Sequence, residues 1–197
     1  MNAETAELWD RHATTFDDEP DHGLRNPLVR QAWASLLTEV LPEPGISVVD
    51  LGCGTGSLSI LLAEAGHHVH AVDISPRMLE EGRRKARQRA VSVTWHLGDA
   101  VRPPVVDGGF DVVLTRHVLW AMPDPSAALA SWIGLLRPAG RLVLIEGRWM
   151  TGAGIPAATC SALVRRHRKE LELRLLDDPA LWGKAITDER YLLVSRR

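Results

Sequence analysis

Apolar and polar positions fall in blocks along this chain, and from residue 46 onward the blocks keep one order. Residues 46–51 form a short, largely apolar run of the kind that becomes a strand buried on both faces of a parallel sheet. A glycine turn follows, and residues 58–65 carry their apolar positions on a helical stripe that stops at Gly66. Residues 68–72 read as a second strand. Ser75 and Pro76 then supply an N-cap and a first-turn proline for a helix reaching about residue 89. Residues 91–97 and 110–115 are the third and fourth strands, separated by a turn-rich stretch with Pro103, Pro104, Gly108 and Gly109. A helix over 125–136, closed by Pro138 and Gly140, leads to a fifth strand at 141–146.

Strands alternating with helices at this spacing imply right-handed crossovers, so the pattern predicts a doubly wound α/β fold with helices on both faces of a mostly parallel sheet. The tail departs from the alternation. It reads as a helix over 156–169 and strands at 171–176 and 191–195, joined through a loop at Asp177-Asp178-Pro179. Those two strands are expected to lie antiparallel at one edge, bringing the sheet to seven. Ahead of the core, Asn26 and Pro27 open a helix to about residue 41, and residues 42–45 link it to the first strand. The expected organisation is one domain, with a helical cap or lid at 1–45 and the core at 46–197. The acidic stretch 17–21 reads as mobile.

Composition narrows the function. Lys plus Arg number 23 against 25 Asp plus Glu, for a net charge of −2, which argues against a nucleic-acid backbone as the main ligand. Basic runs at 83–89 and 165–169 fall near helix ends, where cations complement the dipole and face water. No apolar stretch approaches the roughly 20 residues of a membrane helix, and acids at Glu4, Glu7 and Asp10 are unlike a secretory signal. Two cysteines imply no disulfide framework and make a reducing cytoplasm the default compartment.

In doubly wound sheets ligands bind beyond the carboxyl ends of the strands, where strand order reverses. The first strand ends in Asp50-Leu51-Gly52-Cys53-Gly54-Thr55-Gly56 and enters a helix. Glycines let a ligand approach the backbone, and the helix start offers free N–H groups to an anion. Asp73, at the end of the second strand about 20 residues beyond the first glycine, suits a carboxylate that accepts from ribose hydroxyls. Together these predict a nucleoside with an anionic group. A dinucleotide fingerprint requires glycine at position 57, where Ser57 stands.

The Gly-x-Gly-x-Gly turn preceded by Asp50 resembles the first motif of class I S-adenosylmethionine-dependent methyltransferases. Asp73-Ile74-Ser75-Pro76-Arg77-Met78 resembles the second motif, Gly98-Asp99-Ala100 the adenine-contacting one, and Phe110 to Thr115 the family's fourth strand. The segment from Trp9 to Asp17 is similar to the N-terminal signature of small-molecule members, with Phe16 where Tyr is common. The resemblance implies methyl transfer from S-adenosylmethionine to a small acceptor, O-, N- or C-linked, leaving S-adenosylhomocysteine, in a monomer or homodimer without nucleic-acid or membrane partners. It also implies a final strand running antiparallel between the fifth and sixth. Gly52, Cys53, Gly54 and Gly56 would pass the methionine moiety, with Asp50 orienting the loop. Asp73 would bind ribose, Ile74 and Met78 would pack on adenine, Asp99 and Ala100 would meet its amine edge, and Thr115 would contribute from the fourth strand. Rival readings are an NAD(P)-dependent oxidoreductase, disfavoured by Ser57, and a non-catalytic nucleoside-binding subunit.

His117, just past the fourth strand, can remove or orient a substrate proton as a neutral imidazole, or merely pack beneath the cofactor. Trp9, His12, Phe16, Trp120, Glu146, Arg148 and Trp149 are candidates for the acceptor side, and Trp182 falls in a segment expected to rim it. Trp33 and Trp132 read as core. Cys53 lacks a basic partner and reads as structural. His67, His68 and His70 lack an accompanying Cys or acid pattern and read as surface residues, so no metal is expected.

Overall fold

The computed structural model describes residues 3–41 and 43–196; Pro42, which opens the expected link at 42–45, lies outside the described residues. In chain order the elements are α1 (Ala3–His12), a 3-10 turn (Phe16–Asp18), α2 (Pro20–Gly23), α3 (Pro27–Val40), β1 (Ser47–Leu51), α4 (Ser57–Glu64), β2 (His68–Asp73), α5 (Pro76–Gln88) and β3 (Thr94–Leu97). There follow β4 (Phe110–Arg116), a second 3-10 turn (Leu119–Ala121), α6 (Pro125–Gly134), β5 (Leu136–Arg148), α7 (Ala157–Arg165), β6 (Glu170–Leu175), α8 (Pro179–Trp182) and β7 (Glu189–Arg196).

The proline-opened helices start where their caps hold them. Asn26 Oδ1 accepts from Leu28 N at 2.9 Å, Ser75 Oγ from Met78 N at 3.0 Å, and Asp124 Oδ1 from Ser126 N and Ala127 N at 3.0 Å. Each satisfies an N–H that has no partner inside its own helix, and the proline lacks one that would otherwise be orphaned.

The seven strands make one sheet in the order β3-β2-β1-β4-β5-β7-β6. Neighbours from β3 to β5 run parallel; β7 runs antiparallel to both β5 and β6. The fold is the expected doubly wound one. Successive strand residues alternate between two apolar layers: Val48, Val112, Leu114, Val143 and Ile145 pack towards α3, α4 and α8, while Val49, Val113, Leu142 and Leu144 pack towards α6 and α7. Trp33 and Trp182 meet edge to face at 5.5 Å in the first layer, and Trp132 is fully buried in the second. Their indole N–H groups reach backbone carbonyls, Trp33 to Leu181 at 2.6 Å and Trp132 to Ala100 at 2.7 Å. Strand order reverses between β1 and β4, which leaves a crevice beyond their carboxyl ends.

Several expectations need correcting. Helix α6 stops at Gly134, and β5 begins at Leu136 rather than after Gly140. The ladder pairs Phe110 with Leu136 and then jumps to Val112 with Arg141, so the segment around Pro138, which has no N–H to give, becomes an irregularity inside a longer strand. The loop expected at 177–179 leads into α8, capped by Asp178 Oδ1 on Ala180 N at 2.9 Å; the Asp-Pro pair is the same cap signal that opens α6. The basic run 165–169 does not simply face water. Arg168 is buried, and its Nη2 donates to Gly140 O at 2.5 Å and Ser195 O at 3.2 Å, tying the β5 irregularity to β7.

Candidate active site

The turn after β1 is held by backbone before anything else. Gly52 N and Cys53 N donate to Val72 O at 2.8 and 3.0 Å, and Gly52, Gly54 and Gly56 all have positive φ. Asp73 fixes the turn from β2: Oδ2 accepts from Gly54 N at 2.8 Å and Oδ1 from Ser75 N at 2.9 Å. Burial raises its pKa above the ordinary carboxylate value while those N–H groups pull it back. Asp50 Oδ2 accepts from Ser59 Oγ at 2.6 Å, joining β1 to α4, and burial pushes its pKa up to about 6. Burial, then the Asp73 and Asp50 carboxylates, raise the Cys53 thiol well above its usual value.

Gly56 is demanded by something the motif did not reveal. A Cβ there would stand 2.4 Å from the Trp95 ring, and one on Gly82 in α5 would stand 2.6 Å from the same ring. Trp95 of β3 thus wedges between the turn and α5; the sequence signal for it is only a tryptophan on a short edge strand.

A cavity of about 500 Å³ opens over the carboxyl ends of β1 and β4. Asp50, Gly52, Cys53, Gly54, Asp73, Ile74, Met78 and Ala100 line one wall; Arg116, His117, Val118, Trp120, Trp149, Trp182 and Arg190 line the other; Trp9, Phe16, Asp21 and His22 roof it. Six predicted site residues lie off this lining. Gly56 packs on Trp95. Asp99 stands next to Ala100, and its Oδ1 accepts from Val101 N at 2.9 Å. Thr115 is wholly buried in β4, and its hydroxyl has no partner among the described residues. His12 is exposed at the end of α1, and Arg148 is exposed, its Nη1 3.5 Å from Gly154 O. Glu146 is buried beneath the site.

The roof overturns the mobile reading of 17–21. Asp17 and Asp21 are both buried. Asp17 takes Thr55 Oγ1–H on Oδ1 at 2.5 Å and Lys85 Nζ on Oδ2 at 2.8 Å; Lys85 also donates to Thr55 Oγ1 at 2.9 Å and Ser57 Oγ at 2.8 Å. All three ammonium protons are therefore used, and Lys85 does not face water as its basic run suggested. Farther out, Asp10 Oδ1 accepts from Ser75 Oγ at 2.5 Å and Arg77 N at 3.1 Å, fastening α1 to the start of α5.

His117 sits on a distorted turn with φ +60°, a backbone state unusual for a side chain of its size. Its N–H donates to Ile145 O at 2.8 Å, and Glu146 Oε1 accepts from Val118 N at 2.9 Å and Leu119 N at 2.7 Å. The ring meets Trp149 edge-on at 5.1 Å and stacks at 6.1 Å on Trp182; its Nε2 has no partner among the described residues. Burial, then Arg116 and Arg190, hold its pKa well below the ordinary histidine value, so the imidazole is neutral. Burial likewise pushes Glu146 up to about 8, and its Oε2 is unpartnered among the described residues. Asp21, His22 and His117 bring ligand-type atoms within 4.8 Å of one another, but the positive field of Arg116 on both histidines opposes a cation there. Of the three histidines read as surface residues, His67 is buried, and His70 stacks on His96 at 5.1 Å.

The fold and this cavity define a doubly wound domain built to hold a nucleoside at its strand-order reversal. Residues 49–144 match the model of the methyltransferase domain family. It is 33% identical over 132 residues to a ubiquinone/menaquinone biosynthesis C-methyltransferase UbiE of Ruegeria sp. (strain TM1040), covering 64% of this chain and 53% of the relative. It is 33% identical over 143 residues to a demethylmenaquinone methyltransferase of Renibacterium salmoninarum, covering 70% and 59%. The chain thus spans little more than half the length of these relatives. Among solved structures, magnesium protoporphyrin IX methyltransferase of Synechocystis PCC 6803 with bound SAM superposes with a TM-score of 0.67 at 26% identity, covering 86% of this chain and 78% of that one. The 4+2 cyclase SpnF superposes at 0.71 with 22% identity, covering 83% and 79%, a likeness of fold alone. Among the described residues no helix is long and apolar enough to cross a membrane.

Proposed function

We propose that this protein transfers a methyl group from S-adenosylmethionine to a small-molecule acceptor. The observation that carries the reading is the pairing of a Cβ-free turn with a buried carboxylate: Asp73, oriented by Gly54 N and Ser75 N, stands at the cavity wall where a ribose would lie. Gly52, Cys53 and Gly54 leave room for an amino-acid tail beside Asp50, and Ile74, Met78 and Ala100 offer an apolar slot for adenine. Adenine recognition rests on these rather than on Asp99, whose Oδ1 accepts from Val101 N, and Thr115 is left out.

S-adenosylmethionine bound there supplies a methyl already activated on a sulfonium sulfur. What remains for the chain is to hold the acceptor in line, exclude water and manage a proton. In this reading the neutral His117, whose Nε2 has no partner among the described residues, takes a proton from a hydroxyl or ammonium acceptor. Trp149, Trp182, Trp120 and Phe16 give flat apolar contact. Residues 3–24 act as a lid, latched by Asp17 on Lys85 and Thr55. Both cysteines are unpaired, in keeping with a reducing cytoplasm.

Calorimetric titration with S-adenosylhomocysteine tests the reading. Saturable binding is expected, weakened about 100-fold in Asp73→Asn, since two hydrogen bonds to a charged acceptor change character. Absence of heat with the native chain, or equal binding by the variant, overturns it.

A further inference from the structure

Three cations line the cavity, and two are matched. Arg190 donates to both Asp188 oxygens at 2.9 and 3.0 Å, and Lys184 Nζ lies 3.1 Å from Glu19 Oε2. Arg116 has no carboxylate within 4.0 Å among the described residues; its Nη1 donates to the backbone carbonyl of Asp21 at 2.5 Å, and its Cζ lies 5.2 Å from the Trp33 ring centroid. Asp21, Asp50 and Asp17 attract it from farther off, but Asp21 Oδ2 lies 3.7 Å from His22 Nε2, Asp50 accepts from Ser59 and Asp17 is paired with Lys85. Arg116 is half-buried, and a partly desolvated guanidinium without a paired anion carries a cost. Burial accordingly lowers the Arg116 pKa. An arginine left in that state on a cavity wall is a receptor for an incoming oxyanion.

The surroundings define the rest of the ligand. Arg116 lies over Trp33, Trp33 meets Trp182, and Trp182 stacks on His117, which meets Trp149. Trp33 and Trp182 are fully buried, so the aromatic wall open to a ligand beside this cation is Trp149 with Trp120, whose rings meet at 5.4 Å. The cavity of about 500 Å³ must also hold the methyl donor, which restricts the acceptor to a compact ring system.

We infer that the acceptor is an aromatic acid, its carboxylate paired with Arg116, its ring against Trp149 and Trp120, and its nucleophilic atom towards His117. The inference rests on the methyl-transfer reading above. A carboxylate also ends the donor's amino-acid tail, so the test separates the two sources.

Protein saturated with S-adenosylhomocysteine is titrated calorimetrically with 4-hydroxybenzoate, indole-3-carboxylate and 2-naphthoate, each beside its primary amide. At least one acid is expected to bind about tenfold tighter than its amide, as loss of a charge-assisted bidentate pair implies. Arg116→Gln should abolish that preference, Arg116→Lys should keep part of it, and S-adenosylhomocysteine should bind both variants within about threefold of the native chain. The acid-to-amide ratio is taken within one preparation, so a partly unfolded variant does not alter it. Equal binding of acids and amides, no binding of any acid, or a preference that survives Arg116→Gln overturns the inference. Loss of S-adenosylhomocysteine binding in Arg116→Gln also overturns it, by placing Arg116 on the donor's tail. If the native chain fails to bind S-adenosylhomocysteine, the methyl-transfer reading falls, while the same acids titrated alone still report on Arg116.

Discussion

The two walls of the cavity are built on opposite terms. On the glycine-turn wall the main polar groups have partners within the chain: loop N–H groups on Val72 O, Asp73 on Gly54 and Ser75, Asp50 on Ser59. Facing it, His117 holds a strained backbone with an unpartnered Nε2, and Arg116 has no carboxylate within 4.0 Å among the described residues. The first wall is complete before a ligand arrives, so its bound conformation costs little ordering. The second is left incomplete, and unmet buried polar groups of this kind mark where a ligand finishes the structure.

The largest way to break that contrast is at His117. His117→Asn keeps a residue that tolerates left-handed backbone but removes the basic nitrogen, and kcat on a hydroxyl acceptor should fall about 100-fold while S-adenosylhomocysteine binding holds. Because burial keeps the folded-state pKa low, the neutral ring persists as pH falls below 6.5. At saturating donor, kcat should therefore stay level from pH 7.5 to 6.5, above the range in which Asp50 takes up its proton. A drop centred near 6.5, or an unchanged kcat in the variant, would contradict a neutral catalytic imidazole.

Glu146 comes next, since it shapes the same turn from below. Its folded-state pKa, about 8, lies above the ordinary 4.5. The folded protein therefore holds a proton that the unfolded chain releases, and stability falls as pH rises through that window. Between pH 6 and 8 the loss from this group is on the order of 2 kcal/mol. Chemical denaturation at the two pH values should show it, and Glu146→Gln should flatten the slope. A native chain equally stable at both would mean that Glu146 is ionised in its pocket.

How far the molecule could be read beforehand follows the same division. Asp50, the glycine turn and Asp73 are local in sequence and lie at strand ends, so their meeting at one wall follows from spacing. Caps plus proline gave α3 and α5 for the same reason, and α8 was overlooked although Asp178-Pro179 carries that signal. The other wall is assembled from residues far apart in the chain. Arg116 meets Trp33, Trp182 meets His117, and Lys85 meets Asp17, and these contacts exist only after β4, α5, the roof and the tail converge. Glu146 and Thr115 were drawn to the site by their place near strand ends, yet strand alternation turns their side chains into the sheet's packing.

The roof is where the two walls are joined, and it offers the smallest of the expected effects. Lys85 spends its three protons on Asp17, Thr55 and Ser57, so one ammonium links the roof to the glycine turn. Lys85→Met keeps the length of the alkyl stem but leaves the buried Asp17 carboxylate with only the Thr55 hydroxyl among the described residues, and one-sided loss of a buried ion pair is the costly way to break it. The cost falls on the roof, because Asp10 still ties α1 to α5 and the sheet is untouched. Amide exchange at 16–24 should therefore quicken in Lys85→Met, and KM for the donor should rise about tenfold, the equivalent of about 1.4 kcal/mol, with kcat nearly unchanged. Asp17→Asn/Lys85→Met, which removes both charges, should recover part of that loss. If exchange at 16–24 is the same in the native chain and in Lys85→Met, the latch does not hold the roof, and the two walls close over their ligands without it.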